Sequence, residues 1–269
     1  MGSGVDDRAA NLAWWQEAAI LHADSQFYDL AGFRSGRDPM RPFEVEELGD
    51  VAGLELLHLQ CHVGTDTLAW ARRGATVVGL DFSSNAIDVA TRLAHDCDLD
   101  AEFIRADVYD AAAALGDRHF DIVYTGVGAL NWLPDLGGWG EVVADLLRPG
   151  GALYISEIHP MVFGMADDGR TLARSILDGD YEALDNPGGT YAVPNAELAG
   201  TVTYERIYAI SEVFTAVRRA GLDVELLREH TYTNAPWPWA VRGDDGFYRV
   251  SVDAPAYPLA YTLLARKPR

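Results

Sequence analysis

Apolar and polar positions repeat along this chain with two different periods. Between residues 9 and 23, AANLAWWQEAAILHA places Leu12, Trp15, Ala19 and His22 near one face, which predicts an amphipathic helix. The stretch that follows, SQFYDLAGFRSGRDPMRP, is aromatic, basic and broken by Gly32, Gly36, Pro39 and Pro42; PFEVEELGD then predicts one short helix. From Leu54 the pattern tightens. LELLHL, TVVGLD, AEFIRAD, FDIVYTG and GALYISEIHP are short apolar runs and predict strands, the second ending in Asp81 and the third in Asp107. The segments between them have helical period: TDTLAWARRG ending at Gly74, SSNAIDVATRLAHDCDL with Ser83 or Ser84 as its cap, VYDAAAALG, and GGWGEVVADLLRPGG closed by Pro149 and Gly150. Such alternation predicts a doubly wound α/β fold, a parallel sheet with helices on both faces.

Residues 160–205 interrupt the rhythm with Gly, Asp, Tyr and turn signals such as NPGG, and a hairpin is expected around TYAVPNAELAGTVTYERI. SEVFTAVRRAG predicts a helix, LDVELLREH a strand, and PLAYTLLAR a last strand reached through a long loop that holds Trp237-Pro238-Trp239. Four parts are expected: an N-terminal helical lid over cofactor and substrate (1–50), a cofactor-binding core (51–159), an inserted substrate cap (160–205) and the C-terminal part of the core (206–269).

Composition narrows the chemistry. A chain of 269 residues can bury a core without disulfide or metal staples. Asp and Glu number 41 against 21 Lys and Arg, a net charge of −20 that repels phosphate backbones and anionic lipid. No nucleic-acid or membrane partner is therefore expected; a neutral or cationic small molecule suits this surface. The single lysine, Lys267, argues against Schiff-base chemistry, and two cysteines, Cys61 and Cys97, form neither a disulfide framework nor a zinc pattern. With no apolar run of about eighteen residues and no basic-then-apolar leader, a reducing cytoplasm is the expected location. Nothing in the chain indicates an oligomeric state.

In an open parallel sheet, ligands bind beyond the carboxyl ends of the strands, where strand order reverses. That rule selects Gln60–Gly64, Asp81, Asp107, Tyr124–Asn131 and Glu157–His159. Asp81, seventeen residues after Gly64, is placed to accept both hydroxyls of a ribose, and Asp107 to accept an exocyclic amine; together they describe an adenosine pocket. The plainer readings are an N-cap before Ser83 for Asp81, a cap on VYDAAAAL for Asp107, helix–strand packing for Gly64 and a turn histidine for His62. Asn131 and Trp132 either line the pocket or end the loop. The G-x-G-x-x-G turn of dinucleotide enzymes is absent, which argues against a hydride-transferring oxidoreductase.

On LLHLQCHVGTDTL, VVGLDFS, FIRADVYD, FDIVYTGVGALNWL and LLRPGGALYISEIHP, residues 50–160 resemble the class I S-adenosylmethionine-dependent methyltransferases. The resemblance implies a Rossmann-like sheet with an antiparallel last strand and S-adenosylmethionine as cofactor, with S-adenosylhomocysteine as product. It implies cofactor contacts from Gln60, Cys61, His62, Gly64, Asp81, Phe82, Asp107, Val108, Thr125 and Gly126, with Tyr28 and Phe33 closing over them. The family's D/E-x-G-x-G-x-G turn is altered: His58 stands at the acidic position, Gln60 and His62 replace two glycines, and Gly64 remains. The wording HLQCHVGTDTL, together with FYDLAGF, is similar to an actinomycete branch acting on small molecules, which includes indole C3-methyltransferases that form pyrroloindolines.

The expected function is methyl transfer to a small aromatic acceptor of secondary metabolism. O- or N-methylation of another metabolite is an alternative, as is a catalytically silent binding module left by the lost glycines. Glu157 and His159, two apart at a strand end, are expected on one face as the acid–base pair, with Tyr28 as a further candidate. A metal set of Glu157, His159 and His230 is considered and not expected. Tyr191, Tyr204, Tyr208, Tyr232, Trp237 and Trp239 are candidates for an aromatic substrate wall, with packing between segments as the plainer reading.

Overall fold

The computed structural model describes residues 6–177, 179–251, 253 and 256–269; the first five residues of the N-terminal segment, Asp178 of the insertion and three late-loop residues lie outside this description. The chain opens with α1 (Asp6–Ala23), α2 (Leu30–Arg34) and α3 (Pro42–Leu48). The core then alternates β1 (Glu55–Leu59), α4 (Thr65–Ala71), β2 (Thr76–Asp81), α5 (Ser84–Asp96), β3 (Ala101–Arg105), a 3-10 turn (Val108–Asp110), α6 (Ala111–Leu115) and β4 (Phe120–Thr125). A second 3-10 turn (Leu130–Trp132) leads to α7 (Leu136–Leu146) and β5 (Leu147–Ile158). The insertion contains α8 (Pro160–Gly164), β6 (Glu182–Asp185) and β7 (Val202–Glu205). The chain finishes with α9 (Ile210–Arg219), β8 (Asp223–His230), β9 (Tyr232–Thr233), β10 (Ala240–Arg242), β11 (Tyr248–Val250) and β12 (Ala260–Arg266).

Seven strands form one sheet in the order β3-β2-β1-β4-β5-β12-β8. The pairs from β3 to β5 are parallel, and β12 runs antiparallel to both its neighbours, one strand in from the edge. Strand order reverses between β1 and β4, so their carboxyl ends open the crevice where such sheets bind ligands. Alternation sends Leu57 and Leu59 to a core shared with Trp139, Val143 and Val217, while Leu56 joins Trp70, Leu93 and Tyr154 on the other face. Helices cover both faces, and so the strands read as nearly unbroken apolar runs.

Four local expectations are corrected. α7 stops at Leu146 and β5 begins at once, so Pro149 and Gly150 lie in the strand and do not close the helix. β3 ends at Arg105, and Asp107 caps the next turn by accepting from Tyr109 N at 3.0 Å. The insertion's hairpin pairs β7 with β6, upstream of the expected partner, because 190–201 folds as turns. The late loop carries a small sheet, β10-β11-β9, whose two- and three-residue strands are too short to show a period. Among the described residues no helix is long and apolar enough to cross a membrane.

Candidate active site

The turn after β1 sets the site. Gln60 and His62, at positions where the related turns have glycine, take left-handed backbone angles, with φ of 57° and 49°. Side chains at such angles cost about 1–3 kcal/mol each. Both positions thus hold backbone angles that glycine adopts freely. At Gly64, with φ of 78°, a Cβ has no room, since it would fall 2.7 Å from the Ala90 Cβ. Its role is packing of the turn against α5.

Asp81, at the end of β2, ties this turn down. Its Oδ2 accepts from His62 N at 2.9 Å and its Oδ1 from Ser83 N at 2.8 Å. Burial raises its pKa to about 6, against the pull of these amides. A carboxylate offers about four acceptor positions, so room remains for hydroxyl donors. Ser83 caps α5, and α1 reaches over it: Gln16 Oε1 accepts from Asn85 N at 3.0 Å.

The loop after β4 forms the opposite wall. Glu157, buried on β5, accepts from Gly128 N and Ala129 N at 2.7 Å each and from Leu130 N and Ile158 N at 2.9 Å. Gln60 Nε2 donates to Ala129 O at 3.0 Å and so joins the two loops. Beneath the first turn, His58 bonds Thr67 Oγ1 at 2.8 Å, and burial pushes its pKa down to about 4. It is neutral at pH 7, in a place where an acid was to be expected.

Between these walls lies a cleft with about 810 Å3 of empty space including its open mouth. The sheet side supplies Gln60, His62, Asp81, Phe82, Asp107 and Val108, all anticipated from sequence, and α1 and the segment after it supply Trp15 and Tyr28. Trp132 meets Trp15 edge-to-face at 5.0 Å, and Trp15 meets His62 in the same way at 5.1 Å. Tyr191, from the insertion, bonds hydroxyl to hydroxyl with Tyr28 at 2.5 Å. Asn11 joins α1 to the insertion, donating to Tyr204 O at 2.9 Å and accepting from Tyr204 N at 2.8 Å. Arg8 pairs with Asp107 at 2.5 Å.

Several anticipated residues are placed elsewhere. Phe33 is fully buried on the α4 side under the Arg72 guanidinium, 3.7 Å from its ring centre. Cys61 turns toward Gly79, and Thr125 is fully buried at the end of β4. Gly126 packs near His58 and Tyr124; the loop reaches the cleft one residue later, at Val127–Ala129. Gly64, as described, packs on α5.

The pairing of Glu157 with His159 is corrected. β5 ends at Ile158 and His159 opens α8, so strand alternation does not carry across the pair. Both Glu157 oxygens are held by loop amides. His159 accepts from Met161 N at 3.1 Å and bonds Glu229 at 3.0 Å. Neither lines the cleft. His230 bonds Thr262 and stacks on Phe43, and among the described residues no three His, Cys, Asp or Glu side chains gather as a metal set.

Of the aromatic wall candidates, Tyr191 lines the cleft. Trp237 and Trp239 pack against Phe163 and Tyr257, Tyr204 stacks on Tyr181, Tyr208 donates to Leu133 O, and Tyr232 packs on Phe43. Sequence reasoning missed Arg8, Asn11 and Tyr181. Trp15 was visible only as one residue of a helical face.

The chain matches a family model described as a methyltransferase domain over residues 57–153. It is similar to a ubiquinone biosynthesis O-methyltransferase of Chelativorans sp. (strain BNC1), 30% identical over 232 residues, covering 82% of this chain and 80% of that one. An S-adenosylmethionine-dependent methyltransferase structure from Mesorhizobium loti shares the fold with a TM-score of 0.57 at 21% identity, over 87% of this chain and 100% of that one. The DhpI–SAH complex does so with a TM-score of 0.58 at 16% identity, over 99% and 100%. The chain therefore belongs to the class I S-adenosylmethionine-dependent methyltransferases, and S-adenosylmethionine is its cofactor.

Proposed function

We propose that this methyltransferase acts on a small, flat aromatic acceptor, a natural product of the indole or tryptophan-derived type methylated at C3. The observation that supports the reading is the wall of Trp15, Trp132, Tyr28 and Tyr191 around the part of the cleft not bounded by the sheet. Aromatic faces hold flat substrates and also attract a sulfonium, by about 0.5–2 kcal/mol. The name of the Chelativorans relative supports a second reading, O-methylation of a phenolic acceptor. Against a silent binding module stands the turn after β1, where Gln60 and His62 hold the left-handed angles open to glycine. The net charge of −20 and the free Cys61 and Cys97 support a small-molecule role in a reducing cytoplasm.

In this reading Asp81 receives the ribose hydroxyls. Phe82, Ala106 and Val108 form the apolar slot for the adenine, and Asp107 receives its amine once Arg8 yields that oxygen. α1 and its following segment act as lid, and the insertion as cap. The cofactor supplies an already activated methyl group. The protein's part is alignment and exclusion of water, and alignment of this kind can supply about 7–11 kcal/mol. The test is release of S-adenosylhomocysteine over a panel of indoles, tryptophan-derived diketopiperazines, phenols and catechols. Turnover of indoles with a new C3-methyl carbon supports the first reading. Turnover of phenols alone supports the second, and none with any aromatic overturns both.

Asp81 also predicts a pH dependence. Its folded pKa of about 6 lies above the ordinary carboxylate value, so burial of the charge makes the fold less stable as pH rises from about 4 to 6. Hydroxyl donors from a ribose favour the charged form. Affinity for S-adenosylhomocysteine should therefore rise with pH up to about 6 and level off above it, with proton release on binding near pH 6. Titration calorimetry in buffers of different ionisation enthalpy reads both effects. A flat profile between pH 5 and 7.5 removes Asp81 from the ribose.

A further inference from the structure

The mechanism so far leaves the acceptor's proton without a destination, since Glu157 and His159 do not reach the cleft. A second group of histidines does. His22, on α1, is fully buried, and its Nδ1 lies 2.9 Å from Nε2 of His62, which lines the cleft. His62 is held there by a left-handed backbone that a β-carbon does not favour, and strain of this kind gathers at sites where the side chain is used. His22 Nε2 is buried without a hydrogen-bond partner, among the rings of Trp15, Tyr28 and Tyr191.

That orphan nitrogen bears on the tautomers. Tyr28 stacks on the His22 ring while Trp15 meets it edge-to-face, and a negative aromatic face met in that way tolerates an N–H better than a lone pair. The tautomer these surroundings favour has the His22 proton on Nε2 and a lone pair at Nδ1. His62 must then donate from Nε2, which leaves its Nδ1 unprotonated. No protein group among the described residues bonds that Nδ1, nor is it a buried orphan, so it is open to the cleft.

We propose that His62 is the proton acceptor of the methyl transfer and that His22 is the positioning residue that keeps its Nδ1 free. The inference rests on the methyltransferase assignment and holds for a carbon, nitrogen or oxygen acceptor. The acceptor's electron pair forms the bond to the methyl carbon. The carbon–sulfur bond breaks with its pair staying on sulfur. The acceptor's proton passes to His62 Nδ1, giving an imidazolium whose Nε2–H remains bonded to His22. The positive charge that arrives on sulfur thus leaves on His62. Burial keeps both rings neutral beforehand, and His22 is pushed down to about 3. A weak base suffices, because the methylated acceptor carries positive charge and is a strong acid.

Two measurements test this on the full chain. In 15N-histidine NMR of the protein saturated with S-adenosylhomocysteine, His62 should be neutral and protonated on Nε2 from pH 6 to 9. A proton on Nδ1, or an imidazolium at pH 7, overturns the proposal. In turnover with the best acceptor of the panel above, His62→Asn keeps a residue that tolerates the left-handed turn but is no base. It should lower kcat about 10²–10⁴-fold, with affinity for S-adenosylhomocysteine within about threefold. His62→Gly should lose the same activity and regain part of it with added imidazole. His22→Phe should lower kcat, and His22→Asn, whose carbonyl accepts the His62 proton, should restore it. A His62→Asn enzyme with more than a tenth of wild-type kcat, about 10% or above, overturns the proposal. If no panel compound is methylated while S-adenosylhomocysteine binds, the aromatic-acceptor reading fails and the NMR result alone decides for or against His62.

Discussion

Glu157→Ala should melt roughly 6–12 °C below wild type, an effect of about 3 kcal/mol for a chain of this size. The carboxylate is 4% exposed and accepts four backbone N–H groups, three of them from Gly128, Ala129 and Leu130. Removing it leaves those donors unpartnered inside the protein, and each such group costs about 1–3 kcal/mol before water or relaxation repairs part of the loss. Glu157→Gln should fall between, because its amide NH2 must face two of the four N–H groups. The loop also lines the cleft, so S-adenosylhomocysteine affinity should drop with stability. A Glu157→Ala protein that melts like wild type yet has lost turnover would return this residue to the acid–base role that its position at the end of β5 suggests.

The second large effect is on cofactor affinity. Asp81→Ala should weaken S-adenosylhomocysteine binding about tenfold to hundredfold, measured by calorimetry at pH 7.5. Charge-assisted hydrogen bonds contribute about 1.5–3 kcal/mol, and every 1.4 kcal/mol is about tenfold. The same substitution frees His62 N and Ser83 N, so the turn after β1 loosens as the ribose acceptor is lost. Asp81→Asn retains one carbonyl oxygen and should lose less. An unchanged dissociation constant for Asp81→Ala would leave Asp81 as no more than a brace between β2 and the turn.

The core was legible because each segment obeys one rule at a time. TVVGLD is β-branched, apolar and followed by a serine cap, and β2 and α5 occupy almost the residues that this reading selects. The cleft was most legible on its sheet side; of the rest, Tyr28, Trp132 and Tyr191 were candidates alongside several that lie elsewhere. Gln60, His62, Asp81 and Asp107 follow from the strand-end rule, which depends on topology alone, and Phe82 and Val108 from the resemblance to methyltransferases. Trp15, Tyr191 and Asn11 reach the cleft by tertiary packing between α1 and the insertion, and no local pattern encodes which face of α1 meets β7. Glu157 misled for a definite reason. A carboxylate at a strand end looks the same in sequence whether it faces a ligand or the amides of its own neighbouring loop. His62 looked like a lost glycine, and its partner His22, forty residues away, appeared as one residue on a helix face.

The antiparallel strand near the edge has a consequence for how the chain finds its fold. β12 pairs Ala260 with Ile158 and Arg266 with Ala152, partners about a hundred residues apart in sequence, and on its other side it pairs with β8. The parallel half, β1 to β5, can assemble from neighbouring crossover units, but β5 keeps a bare edge until β12 inserts. Closing so long a loop is entropically slow, and an uncovered β5 is a template for pairing with another chain. Refolding should therefore show a late phase tied to β12 docking, and aggregation during refolding should fall steeply once that phase is complete.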